Sequence, residues 1–144
     1  METRGYSTPT TTAEARDRYE TLGPIAQQVV RETARAMGFD ATEYEDRVTS
    51  DVVAAARDAM FAAMLTVHVG DRAAFEDWQA NNPEYTVDQT GNENVDRVAW
   101  HPAPIASTVV ATTFQQEPDA AVAALRRQAW GRIYRDRIQD PNDS

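Results

Sequence analysis

The chain of 144 residues has no cysteine, no lysine, only two histidines and few large apolar side chains. Without cysteine there is no disulfide, no thiolate metal site and no cysteine nucleophile. Without lysine, all 14 basic side chains are arginine, set against 23 aspartates and glutamates. No apolar run approaches the roughly 20 residues that cross a bilayer. The opening Met1-Glu2-Thr3-Arg4-Gly5 does not have the form of a secretory signal. A soluble, cytoplasmic protein with no membrane partner is expected. Walker, Gly-x-Gly-x-x-Gly and Gly-x-Ser-x-Gly patterns are missing too, so neither a phosphate loop nor a serine elbow can be named.

What is present is mostly charge and alanine. A formal net charge of -9 makes a small compact chain repel itself, a load that halophilic proteins carry in return for solubility. At 1 M salt the Debye length is about 3 Å, and the repulsion largely disappears. A GC-rich genome would also favour arginine over lysine, but it does not call for such an excess of acids. Leu, Ile, Val and Phe make up only 24 of 144 residues, a composition shared with disordered chains. The 24 alanines and the regular spacings below nevertheless indicate an ordered core of small side chains, strengthened by salt.

The spacing predicts an extended arm or edge strand over 1–11, one α+β domain over 12–138 and a disordered tail over 139–144. Thr11 and Glu14 form a capping box at the start of a helix, and Gly23-Pro24 is expected to interrupt it. Beyond the interruption, Ile25, Val29, Thr33 and Ala36 form an apolar stripe that ends at Gly38, a left-handed cap. Asp40 and Glu43 open a third helix with the stripe Tyr44, Val48, Val52, Ala55 and Ala59, which Thr49-Ser50 could divide. The period then becomes two: Leu65, Val67 and Val69 face one way, and Met64, Thr66 and His68 the other. A short helix with Ala74, Phe75 and Trp78 follows. Strands near 84–88 and 95–101 read as an antiparallel hairpin. Residues 105–115 fit either helix or strand. Pro118 opens a long helix with the stripe Val122, Leu125, Ala129 and Ile133. The expected architecture is about five helices packed on a small mixed sheet of three to four strands.

His68 and His101 lie on predicted strands and, with Asp96, could form a general acid/base pair or an open metal site, although no metal-ligand spacing surrounds them. Gly70-Asp71-Arg72 sits at a strand-to-helix junction where backbone N–H groups can hold an anion, but Asp71 also suits an N-cap. In the C-terminal helix Arg126, Arg127, Arg132, Arg135 and Arg137 alternate with Trp130 and Tyr134. At 100° per residue these arginines scatter around the axis, which disfavours a phosphate-tracking face. Trp100 or Trp130 exposed on an acidic surface would mark a contact patch.

Glu14-Ala15-Arg16-Asp17-Arg18-Tyr19-Glu20, Leu65-Thr66-Val67-His68-Val69-Gly70-Asp71-Arg72, Asn94-Val95-Asp96 with Trp100-His101, and Arg126-Arg127-Gln128-Ala129 together resemble an uncharacterised family of small haloarchaeal proteins, a domain of unknown function. The resemblance spans nearly the whole chain. It implies a salt-loving archaeal source and a cytoplasmic protein, and it carries over no activity and no site.

The leading expectation is therefore a non-enzymatic interaction or accessory protein, without a cofactor, whose partner is another protein or itself. Its contact residues are expected to be Trp100, Arg126, Arg127, Trp130 and Tyr134. A small enzyme or metal-binding protein built on His68 and His101 is the alternative. A nucleic-acid-associated regulator is a further one, disfavoured by the charge.

Overall fold

Thr11 does cap the first helix: its hydroxyl accepts the Glu14 N–H at 3.0 Å. The Glu14 carboxylate bonds the hydroxyl and N–H of Thr10 instead of closing the reciprocal box, and those bonds hold it below the usual carboxylate range. The computed structural model describes residues 1–139. Helix α1 runs from Thr12 to Ala36 straight through Gly23-Pro24, which corrects the expected interruption. Proline removes one helical hydrogen bond. Here Arg57 braces that turn, donating Nε–H to the Tyr19 carbonyl at 2.7 Å and stacking on the Tyr19 ring at 4.0 Å.

Gly38 ends this region with φ +75°, a backbone conformation that side chains resist. Asp40 caps α2, Ala41–Arg47. Thr49 then caps α3, Ser50–Ala63, so the chain breaks at the Thr49-Ser50 step, where the stripe allowed it. Tyr19 meets Phe61 near one end of α1 and α3, and Val30 and Ala34 line one hollow with Val48 and Val52 near the other. α1 and α3 therefore form an antiparallel hairpin with α2 at its tip.

Five strands are found among the described residues, not three or four: β1 Glu2–Arg4, β2 Val67–Asp71, β3 Thr86–Thr90, β4 Arg97–Ala103 and β5 Thr108–Phe114. They form one mixed sheet in the order β1-β2-β4-β5-β3. The predicted antiparallel hairpin of β3 with β4 is not formed. β4 pairs antiparallel with β2 and β5, and β3 pairs parallel with β5 at the sheet edge. Burial explains the order: β5 carries Val109 and Val110 fully buried on opposite faces, so it belongs inside the sheet. β3 has two exposed residues and no buried one, and takes an edge. Residues 105–115 thus resolve into a 3₁₀ turn, Pro104–Ala106, and a strand.

Helix α4, Arg72–Asn81, covers one sheet face, where Phe75 packs on Trp100, Val98 and Val109. The other face carries the larger core. α1, α3 and the C-terminal helix α5, Pro118–Ala129, meet there. α5 passes through a π-helical turn, Trp130–Tyr134, into α6, Arg135–Gln139, as one continuous rod. That turn brings Trp130 and Tyr134 onto Phe61 at 5.3 and 5.4 Å between ring centroids. Counting the rod once, the described residues form five helices on a five-stranded sheet around one core, an α+β domain. Of the expected tail over 139–144, Gln139 is instead the last residue of α6, and the remainder lies outside the described residues.

Candidate functional site

Neighbouring strands place the two histidines close in sequence register, but on opposite faces. His68 stands opposite Trp100 across β2 and β4, and His101 is the next residue along. Side chains alternate along a strand. His68 therefore lies with Trp100 on the α4 face, ring centroids 5.6 Å apart, while His101 points into the main core. Asp96 sits in the exposed turn before β4, four residues and roughly 13 Å along the strand from the position facing His68. The three residues do not converge. Among the described residues no group of three or more His, Asp or Glu side chains could hold a metal ion.

Each histidine has a local partner. The half-buried His68 bonds Thr3 of the edge strand through Nδ1 at 2.9 Å, and desolvation lowers its pKa. His101 is completely buried. Its Nδ1 lies 2.6 Å from the Thr66 carbonyl and its Nε2 2.6 Å from the Tyr134 hydroxyl. A carbonyl only accepts, so Nδ1 carries the proton and Nε2 accepts from tyrosine. Burial pushes the imidazole down to about 4 and pushes the Tyr134 phenol up. The imidazole is thus held neutral, tying β4 to the chain before β2 and to the C-terminal rod.

Gly70, Asp71 and Arg72 are each engaged within the fold. Asp71 accepts the Ala74 N–H at 2.8 Å as the cap of α4, and Arg72 donates to the Val95 carbonyl at 3.0 Å. A Cβ on Gly70 would stand 3.0 Å from that of Ala74 and 3.5 Å from the Trp100 ring. This glycine lets helix and sheet approach, and the junction's anion-binding position is filled by the protein's own carboxylate.

Trp100, Trp130 and Tyr134 are core residues, at 0, 4 and 0% exposure. This corrects the expectation of an aromatic contact patch there: with so few large side chains available, the tryptophans fill the interior. Arg126 is half-buried and donates to the Leu65 carbonyl, and burial lowers its pKa. Arg132 pairs with Asp88 of β3 at 3.0 Å, and Arg137 donates to the Ile133 carbonyl. Arg127 and Arg135 are exposed. The C-terminal helix thus uses three of its five arginines on protein acceptors and does not present a continuous basic stripe.

The uncovered surface lies elsewhere, on the hairpin of α1 and α3. Its sequence stripes, expected to face the core, face solvent: Ile25 and Val29 are 45 and 47% exposed, Met37 65% and Val52 43%. Thr33, Ala36, Ala55 and Ala59 are exposed as well. Only Ala26 and Ala34 are buried in the outer half of α1. A hollow of about 360 Å³ between the two helices is lined by Val29, Met37, Phe39, Val48, Val52 and Arg47. A second hollow of about 410 Å³ at the base of the hairpin is lined by Tyr6, Asp17, Arg18, Leu22, Ile25 and Met64. The periodicity revealed these residues as a stripe, but could not tell whether a third layer covers it.

Fold and surface define an α+β scaffold bearing an uncovered apolar helical hairpin. The chain belongs to a family of unknown function, DUF5809, which it matches over residues 6–135. No curated protein and no solved structure matches it. Among the described residues no helix is long and apolar enough to cross a membrane.

Proposed function

We propose that this protein is a non-enzymatic interaction or accessory protein of a halophilic archaeal cytosol, and that its contact surface is the α1–α3 hairpin. One observation carries the reading. In a chain with only 24 Leu, Ile, Val and Phe residues, three of them, Ile25, Val29 and Val52, stand more than two-fifths exposed on the same hairpin, joined by Met37. Amphipathic stripes of this kind are stable when something apolar covers them, and exposed patches rimmed by polar residues mark contact sites. Salt supports the choice of an apolar surface over a charged one. Apolar burial strengthens under salting-out conditions, whereas contacts between charged surfaces are screened.

The test is affinity capture in molar salt with the full chain and with a Val29→Asp/Val52→Asp variant. A specific protein, this one or another, should be retained by the first and lost by the second. A chain that stays monomeric and retrieves nothing specific defeats the proposal.

A further inference from the structure

We infer that the hairpin's occupant is a second copy of this chain, joined antiparallel about a twofold axis near residues 25–29 to make a four-helix bundle. The inference rests on the interaction reading above and names its partner. Three observations lead to it.

The first is the shape of what is missing. Two antiparallel helices with apolar stripes facing the same way are half of a four-helix bundle, and a twofold places an identical half over them. Both stripes are continuous with the groove between the helices, so the surface offered and the surface required are the same one. From Asp17 to Met37 α1 rises about 30 Å, and two packed helices are about 20 Å across. One face is then roughly 600 Å², and two faces together cover about 1,200 Å², where specific interfaces begin.

The second is the placing of charge. At the tip Arg47 lines the upper hollow and lies 5.5 Å from the Phe39 ring centroid. At the base Asp17 and Arg18 line the lower hollow beside Ile25 and Met64, but Arg18 is already bonded to Glu14 and Ser7, which leaves Asp17 as the charge offered to a partner. Residues 17 and 37 are centred on residue 27, between Ile25 and Val29. An antiparallel twofold there sets each tip over the other copy's base, bringing Arg47 to Asp17 of the second copy twice. A parallel arrangement would set arginine against arginine and aspartate against aspartate.

The third is the scarcity of carboxylates on the α3 side of this face, in a chain with net charge -9. After Asp51 the only ionisable side chains of α3 are Arg57 and Asp58. Both are engaged with Tyr19: Arg57 donates to its carbonyl, and Asp58 accepts from its hydroxyl at 2.6 Å. On α1, Glu32 follows Val29 by three residues and is held by Gln28 and Arg35, and Asp17 is the acid that the antiparallel register sets against Arg47, while concentrated salt screens the remainder.

Light scattering after size exclusion in molar potassium chloride tests this on the full chain. The wild type should run at twice 16.0 kDa, and Val29→Asp/Val52→Asp should halve that mass with the helical circular dichroism unchanged. Arg47→Asp or Asp17→Arg alone should shift the equilibrium towards monomer, and the two together should restore the dimer. A wild type that stays monomeric at every concentration overturns the inference, as does a dimer untouched by the double aspartate variant. Failure of the charge swap to restore association overturns the antiparallel register. A monomer that still captures a different protein through Val29 and Val52 sinks the self-association alone and leaves the interaction reading standing.

Discussion

His101 accepts a 2.6 Å hydrogen bond from the Tyr134 hydroxyl between sheet and C-terminal rod, with neither side chain reaching solvent. The bond satisfies the one imidazole nitrogen that Thr66 does not. Its residues come from β4 and from the π-helical turn after α5, so it forms only when the rod is docked. In this chain a histidine expected as half of a general acid/base pair acts as a structural tie.

Tyr134→Phe removes the donor and leaves Nε2 buried and unpaired. A buried group left without its partner costs about 1–3 kcal/mol, and denaturant unfolding in molar salt should show a loss of that size at an unchanged m-value. Nitrogen-15 spectra of the wild type should show His101 as the Nδ1–H tautomer. An Nε2–H tautomer would disprove the direction of the bond.

Acid should weaken the fold through the same imidazole. The folded pKa of His101 is held at about 4, below the ordinary 6.5, so as pH falls the unfolded chain takes up a proton before the folded one does. The stability is complete above about pH 6.5, declines between there and pH 4, and changes no further below 4. At 1.36 kcal/mol for each pH unit crossed the loss is roughly 3 kcal/mol. A His101→Gln variant should lack this part of the slope. Parallel pH profiles for the two proteins would count against a neutral buried histidine.

Pro24 and Arg57 give a paired test of how α1 survives its Gly-Pro step. Restoring the missing amide with Pro24→Ala should stabilise the chain by up to about 3 kcal/mol. Arg57→Ala, which removes both the bond to the Tyr19 carbonyl and the cation–π contact, should cost about 1–2 kcal/mol. Equilibrium unfolding of both variants measures this. An Arg57→Ala protein as stable as the wild type would mean that the bracing is not needed.

Dilution of salt should unfold the chain. Its net charge of -9 is unscreened in dilute buffer, and the core relies on alanine and a few aromatics. The exposed ion pairs, such as Arg132 with Asp88, contribute at most about 1 kcal/mol each. Circular dichroism melting points should fall steadily as potassium chloride is lowered from molar to millimolar. An unchanged melting point would remove the argument for a salt-adapted protein.

Much of this was legible in local patterns. Thr11, Asp40, Thr49 and Asp71 each sit three residues before the N–H that their side chains accept, so capping chemistry marks the helix starts. Leu65, Val67 and Val69 alternate as a strand with one buried face. Strand order was not legible, because the two-residue period says which face is apolar and not which neighbour it meets. Thr86 to Thr90 lie near Arg97 in sequence and yet pair with Thr108 to Thr112.

Composition and short-range spacing settled most element types, most helix starts and the chain's acidic character, since each depends on residues only a few positions apart, whereas the strand within 105–115 was decided by its place inside the sheet. Whether an apolar stripe is covered is a long-range matter. Val122 and Leu125 lie beneath the sheet, while Ile25, Val29 and Val52, equally periodic, meet solvent because no other segment among the described residues packs over the outer hairpin. The same holds for His68 and His101. They are brought to adjacent positions on paired strands, and the pleat of the sheet directs them to opposite sides.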